Sequence, residues 1–270
     1  MTEKAAQLEQ LLKDYGSIAI AFSGGVDSTY LAAVAQRVLP GKVLLLNARS
    51  PSFPAEEAEF VAEFAKTWDL PLRVVETQEL AIKQYGENLP SRCFFCRTEM
   101  YSQLKPIAEE TGMAVLADGA NMDDRSDFRP GAKAAKKWGI RHPLQDVELT
   151  KDEIRALSRE LNLPTWDKPA FACLASRIPY GEKITKSKLD RVERAEIALR
   201  ARGFRVYRVR SHEDLARIEL GQDELGRAFG MREELVTAMR DVGYAYVTLD
   251  LQGYRSGSMN EVLDLPKVEV

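Results

Sequence analysis

Along the first half of the chain, short apolar runs alternate with stretches in which apolar side chains recur every third or fourth position. IAIAF (18–22), KVLLLNA (42–48), LRVVET (72–77) and MAVLADG (113–119) read as strands. The intervening segments 27–39, 54–69 and 97–111 carry helical spacing. So does the N-terminus, where Ala5, Leu8, Leu11, Leu12 and Tyr15 fall at helical intervals. Short apolar strands separated by helices of this length predict an α/β domain, a doubly wound parallel sheet covered on both faces. A further helix is predicted over 150–162, where Thr150 followed by Glu153 makes a capping-box pattern.

The texture changes around 163–182. Pro164, Pro169 and Pro179, with Pro143 upstream and Gly181 just beyond, punctuate a segment without a clear period. The domain boundary is expected between 179 and 181, dividing the chain into 1–180 and a smaller 181–270. In the second part a charged helix (185–202), FRVYRVR, LARIEL, a helical stretch (222–242) and AYVTLDL follow in the order α-β-β-α-β. That is a small α+β domain. Neither an internal repeat nor a low-complexity segment is visible.

Composition narrows the class. The 270 residues are 45% hydrophobic and 29% charged, ordinary for a soluble globular protein. No apolar run reaches the roughly 18–20 residues of a membrane span. The N-terminus mixes acids with lysines, unlike a secretory signal, so a cytoplasmic protein is expected. A net charge of −3 does not suit a grip on a long polyanion, and no nucleic-acid partner is expected without a local basic face. The three cysteines, Cys93, Cys96 and Cys173, are an odd set with two in a C-x-x-C, which does not look like a disulfide framework.

Chemistry enters with SGGVDS. Ser23, Gly24 and Gly25 follow the first strand, and Val26, Asp27 and Ser28 lead into a helix predicted to start at about Asp27. Two glycines let the backbone turn tightly and approach an anion, while N–H groups of the first helical turn point at it. Ser23 and Ser28 add hydroxyl donors. No Lys stands in the loop, so it lacks the point charge that kinase-type phosphate loops place between β- and γ-phosphates. A loop of this kind suits a pyrophosphate that leaves as one unit, hence adenylation. Asp27 is assigned to Mg²⁺ or to the positive end of the helix dipole. A plain strand-to-helix turn that binds nothing is the alternative. Placed after a first strand, the motif resembles the signature of the PP-loop ATP pyrophosphatases. The resemblance implies an adenine site at the end of the second strand, at Asn47 and Ala48. It also implies a second nucleotide loop in ADGANMDDRSDFRPG, with Asp118, Gly119, Asp124 and Arg129 as candidates.

The cysteines point to sulfur chemistry. Cys93 and Cys96, in RCFFCR just before the helix predicted from 97, have the spacing at which two thiolates reach one metal or cluster. A closed zinc site would need a fourth ligand, and only His142 and His212 are available. A 4Fe-4S cluster on Cys93, Cys96 and Cys173 would leave one iron open to hydrosulfide. Arg92 and Arg97 beside the pair would lower its thiolate pKa values. A zinc knuckle, an incidental redox pair and a buried apolar Cys173 stay open alternatives.

In FRVYRVR, Arg208 and Arg210 share one strand face with Cα atoms about 6.5–7 Å apart, a spacing able to clamp a phosphate. Arg177 and Arg255 lie beside loops. AFSGGVDST, DGAN with DFRPG, ASRIPYG, YRVRSHEDLARIEL and YAYVTLDLQGYRSGSMN together resemble the LarE family of ATP-dependent pyridinium-3,5-biscarboxylic acid mononucleotide sulfurtransferases, from about 15 to 262.

The resemblance implies adenylation of each substrate carboxylate, displacement of AMP by sulfur, and a bisthiocarboxylate pincer ligand for nickel. It makes 1–180 the PP-loop domain and 181–270 the substrate-binding and oligomerisation domain, in a homo-oligomer expected to be a hexamer. Arg208, Arg210 and Arg255 would hold the substrate phosphate, Arg177 would stand at the reacting end and Glu196 would line the pocket. One branch of the family sacrifices a cysteine just before S-R-x-P-Y-G. Cys173 stands one residue nearer that anchor, Ala172 occupies the expected place, and the sacrificial branch has no C-x-x-C. Both departures favour the three-cysteine cluster branch. A tRNA thiolase, which would need a basic RNA surface, and a non-catalytic ATP-binding regulator are the rival readings.

Overall fold

The computed structural model describes residues 2–125, 130–169, 172–255 and 257–263. The chain divides into two compact units, Met1–Ile82 with Pro90–Phe171, and Lys83–Leu89 with Ala172–Val270.

In the first unit, β1 (Ile18–Ala21), β2 (Val43–Arg49), β3 (Leu72–Glu76) and β4 (Val115–Ala117) form one sheet in the order β3-β2-β1-β4. Every pairing is parallel. The pleat sends alternate residues to opposite faces, and the core divides accordingly. Ile18, Ile20, Val43 and Leu45 pack with α1 (Glu3–Tyr15), α2 (Val26–Val38), α3 (Ala55–Thr67) and α6 (Lys151–Glu160). Ala19, Leu44 and Leu46 pack instead with Tyr101, Leu104 and Ala108 of α4 (Arg92–Glu110) and Ala134 and Ala135 of α5 (Pro130–Trp138). Both faces of β1 and of Val43–Leu46 in β2 are covered, which is why these stretches read as apolar runs, whereas the edge strand β3 is largely exposed.

Strand order places a crossover at β1: β2 lies on one side of it and β4 on the other. In open α/β sheets the crevice at such a switch point, beyond the carboxyl ends of the strands, is where ligands bind. Here it is bordered by Ser23–Gly25, after β1, and by Asp118 and Gly119, after β4.

Two elements depart from expectation. The helix predicted to begin at 97 begins at Arg92, with Ser91 at its N-cap, because Pro90 ends the preceding segment and RCFFCR contains no breaker. Cys93 and Cys96 therefore lie within its first two turns. Helix α5 was not anticipated, since PGAKAAKKW has too few large apolar residues to display a period.

In the second unit, β5 (Tyr207–His212) pairs antiparallel with β6 (Leu215–Leu220), and β7 (Tyr246–Leu249) pairs parallel with β6. Helices α7 (Lys186–Ala201) and α8 (Arg232–Val242) share a core with them through Leu199, Val209, Ile218, Leu235 and Met239. The segment Lys83–Leu89 goes with this unit because Asn88 Nδ2 donates to the Ile178 and Pro179 carbonyls, at 3.0 and 2.7 Å, and the Ile184 amide donates to Gly86. The main part of this second unit is Ala172–Val270. Among the described residues, no helix is long and apolar enough to cross a membrane.

Candidate functional site

The loop after β1 is built for close approach. Gly24 has φ +72°, a left-handed conformation, and a Cβ there would lie 2.9 Å from the Phe60 ring and 3.1 Å from Val61. Gly25 is the N-cap of α2 and no side chain caps that helix, so its first-turn N–H groups keep their capacity for an anion. Ser28 Oγ donates to the Gly25 carbonyl at 3.2 Å and lies 3.3 Å from Ser23 Oγ. On the other side of the crevice, a Cβ on Gly119 would sit 2.8 Å from the Ser28 backbone nitrogen. The loop after β4 thus rests on the first turn of α2, and only glycine fits.

Asp27 is not a bare carboxylate. Lys151 Nζ approaches its Oδ2 at 2.5 Å and Asn121 Nδ2 donates to Oδ1 at 3.2 Å. The repulsion that a first-turn acid would exert on a polyphosphate is offset by a lysine at the start of α6. A second distant lysine reaches the loop itself: Lys168 Nζ donates to the Gly24 carbonyl at 3.2 Å and to Glu57 Oε2 at 2.7 Å. Sequence reasoning found neither lysine, since nothing in the local pattern marks them.

Asn47, at the end of β2, is buried and donates to the Phe22 carbonyl at 2.8 Å, while its Oδ1 has no partner among the described residues. Ala48 follows it, half-buried, paired with Val75. Asp124 accepts the Asn121 amide at 3.0 Å and so shapes its own turn. Arg129 lies outside the described residues.

Asp118 is buried and saturated. Its Oδ2 accepts from Tyr101 Oη at 2.7 Å and Arg97 Nη1 at 3.0 Å. Its Oδ1 meets the Ala120 amide at 3.0 Å and His142 Nδ1 at 2.7 Å. Burial alone would push this carboxyl up, but the His142 hydrogen bond and the Arg97 charge together hold it well below the usual range. His142 in turn is raised, mainly by its bond to Asp118. The carboxylate thereby anchors the loop after β4 to the helix that begins with Cys93 and Cys96.

That pair sits one turn apart on one side of α4. Cys93 is exposed, Cys96 and Cys173 are half-buried, and none forms a disulfide. Cys93 and Cys96 belong to the first unit and Cys173 to the second. Within neither unit do three His, Cys, Asp or Glu side chains gather as metal ligands among the described residues.

In the second unit, Arg177 is 1% exposed and pairs with Glu196 through two hydrogen bonds of 2.9 Å. Its Nη1 donates to the carbonyls of Ala172 and Cys173 and to Ser176 Oγ. Glu196 also accepts the Val209 amide at 3.0 Å, joining α7 to β5. Arg210 is buried and committed to Glu219 (2.8 Å), Ser258 (3.0 Å) and the Ser176 carbonyl (2.9 Å). Arg208 lies over the Tyr254 ring, 5.0 Å from its centroid, and donates to the Tyr207 carbonyl. Burial and the nearby Arg177 charge lower its pKa, while Glu196 opposes the shift. Arg255 pairs with Glu261 at 3.1 Å.

A family model for a PP-loop domain matches residues 1–128. The chain is 44% identical over 268 residues to an uncharacterised protein of Synechocystis sp., covering 97% of this chain and 99% of that one. It is 36% identical over 264 residues to the pyridinium-3,5-bisthiocarboxylic acid mononucleotide synthase of Lactiplantibacillus plantarum, covering 97% and 96%. An uncharacterised protein of Methanocaldococcus jannaschii is 29% identical over 239 residues, covering 88% and 91%. With its parallel sheet, its glycine loop at the switch point and this end-to-end similarity, the chain belongs to the PP-loop ATP pyrophosphatase family of enzymes, as a homologue of the bisthiocarboxylate synthase.

Proposed function

We propose that the enzyme uses ATP to convert the carboxylates of pyridinium-3,5-biscarboxylic acid mononucleotide into thiocarboxylates. The reading rests above all on 36% identity to the bisthiocarboxylate synthase across 97% of the chain. A carboxylate oxygen of the substrate attacks the α-phosphorus of ATP, the bond to the bridging oxygen breaks, and pyrophosphate leaves. The sulfur of a hydrosulfide then adds to the acyl carbon, the bond from that carbon to the AMP oxygen breaks, and AMP departs as the S–H proton is released. Ser23, Gly24, Gly25, Val26 and Ser28 would hold the pyrophosphate through the uncapped start of α2. Asn47 and Ala48 border the adenine, Gly119 and Asp124 shape the facing loop, and Asp27 is the carboxylate nearest a Mg²⁺ on the phosphates.

Arg208, stacked over the Tyr254 ring, and Arg255 would share a substrate-phosphate site on the second unit. Arg210, Glu196 and Arg177 would hold the wall of that site and the Cys173 segment. Cys93, Cys96 and Cys173 suit a 4Fe-4S cluster by donor type: three thiols outside any disulfide, each with solvent exposure. Such a cluster, when bound, supplies an iron with an open position for hydrosulfide. The chain would work as a homo-oligomer on a small-molecule substrate.

The test is pyrophosphate release from MgATP with and without the pyridinium substrate. Release that requires the substrate is expected, and release indifferent to it overturns the reading. Anaerobic reconstitution with iron and sulfide is expected to give a thiolate-to-iron absorption that is lost in each of Cys93→Ser, Cys96→Ser and Cys173→Ser. A chain that loses the mass of H₂S at Cys173 during turnover would replace the cluster with sacrificial donation.

A further inference from the structure

The phosphate loop contains no lysine, yet its backbone is touched by one. Lys168 Nζ donates to the Gly24 carbonyl at 3.2 Å, pairs with Glu57 Oε2 at 2.7 Å and stands 4.3 Å from the centroid of the Phe60 ring. Its side chain is 23% exposed, whereas Glu57 is nearly enclosed at 7%. Phe60 is also the ring that fills the space beside Gly24. Glu57 and Phe60, both on the start of α3, together with Lys168 thus wall one side of the loop.

The backbone around Lys168 is itself fixed. Arg155, on α6, donates to the Trp166 carbonyl at 2.7 Å and to the Lys168 carbonyl at 2.6 Å, and the Lys168 amide donates to Thr165. An ammonium on a stem anchored at its base, with its head at the loop and one side open to solvent, is placed to swing a short distance. A lysine pairs with oxygen acceptors as a mobile point charge, without the fixed fork of an arginine.

We propose that Lys168 supplies the positive charge that SGGVDS lacks, and that it binds the β- and γ-phosphates of ATP and then the departing pyrophosphate. Glu57 is its resting partner when the loop holds no nucleotide. The proposal rests on the reading of this loop as an ATP site. It assigns to α3 and to the segment before residue 170 a part in holding the pyrophosphate, beside the loop and the first turn of α2. AMP, which has no β-phosphate, lies outside the reach of this charge.

Two substitutions separate this role from a purely structural one, because both break the same ion pair. Lys168→Gln removes the charge, whereas Glu57→Gln leaves it and releases it. Titration calorimetry with MgATP, inorganic pyrophosphate and AMP on the full chain reads the difference. In Lys168→Gln, affinity for ATP and pyrophosphate is expected to fall by at least about tenfold, the loss of one charge-assisted hydrogen bond, with AMP unchanged. Glu57→Gln should bind ATP and pyrophosphate at least as tightly as wild type, and Lys168→Arg should retain most of the affinity. The proposal is overturned if Lys168→Gln binds pyrophosphate normally, if AMP weakens equally, or if Glu57→Gln loses as much as Lys168→Gln. Wild-type protein that binds neither ATP nor pyrophosphate removes the nucleotide reading and this proposal with it.

Discussion

Arg177 and Glu196 form a two-point buried ion pair, each contact 2.9 Å, and the third nitrogen of the same guanidinium holds the Cys173 carbonyl at 3.0 Å. One arginine therefore joins the cysteine segment to α7, and Glu196 carries the link on to β5 through the Val209 amide. Sequence resemblance placed Arg177 at the reacting end and Glu196 in the pocket wall. In the fold the two residues tie the Cys173 segment to α7.

Replacing Glu196 by Ala strands a buried guanidinium. The expected loss is about 3–5 kcal/mol in unfolding free energy, larger than for Glu196→Gln, which keeps an acceptor. With Cys93 and Cys96 changed to Ser, alkylation of Cys173 should also be faster in Glu196→Ala. Equal stability and equal alkylation rates would refute the link.

Gly119→Ala tests the contact between the two loops of the crevice. The added methyl meets the Ser28 backbone at 2.8 Å, and backbone cannot move aside as a flexible side chain does. A destabilisation of about 1–3 kcal/mol is expected from overpacking, with weaker ATP binding because the first turn of α2 is displaced. Thermal unfolding and nucleotide titration would measure the two effects separately.

Lys151→Met leaves Asp27 with Asn121 as its remaining side-chain donor among the described residues. The uncompensated carboxylate then faces the incoming polyphosphate, so ATP affinity should fall, and more steeply at low ionic strength, where charge repulsion is screened least. With ATP free of Mg²⁺, Asp27→Asn in the same background should recover part of it. Titration at two salt concentrations decides.

Stability should depend on pH through the His142–Asp118 pair. His142 is raised by its bond to Asp118, so its contribution is fully present below the ordinary imidazole value of about 6.5 and is lost as pH rises through the raised one. Asp118 is depressed, so its share is present above the ordinary carboxylate value of about 3.9 and is lost only as pH falls toward its folded value. The pair therefore stabilises most between about pH 4 and 6.5 and less toward alkaline pH. Denaturant unfolding from pH 5 to 9 should show this decline in wild type and a flatter profile in His142→Gln. A parallel pair of curves would exclude it.

How far the sequence could be read depended on the range of the interaction. β1 and the first part of β2 were legible because they are buried on both faces and so read as apolar runs, whereas β3, Leu72–Glu76, lies largely exposed at the edge of the sheet and was legible from its β-branched pair Val74 and Val75. Helix α6 was legible from its cap, and Thr150 and Glu153 form the expected box. Helix α5 was hidden, since small alanines packed against α4 leave no large apolar stripe. The sequence reading starts α4 at 97, just after C-x-x-C, whereas Pro90 and Ser91 precede a helix that begins at Arg92.

By itself the sequence determined the parallel sheet, the glycine loop after β1, the three thiols and the run of arginines. These depend on side chains near one another along the chain, where periodicity and spacing suffice. Only the folded chain decided what neutralises Asp27, which lysine touches the loop, and which partners Asp118 and Arg177 take. Lys151 and Lys168 stand 124 and 144 residues from the groups they touch, and such encounters are set by how strands and helices stack, which no local pattern encodes.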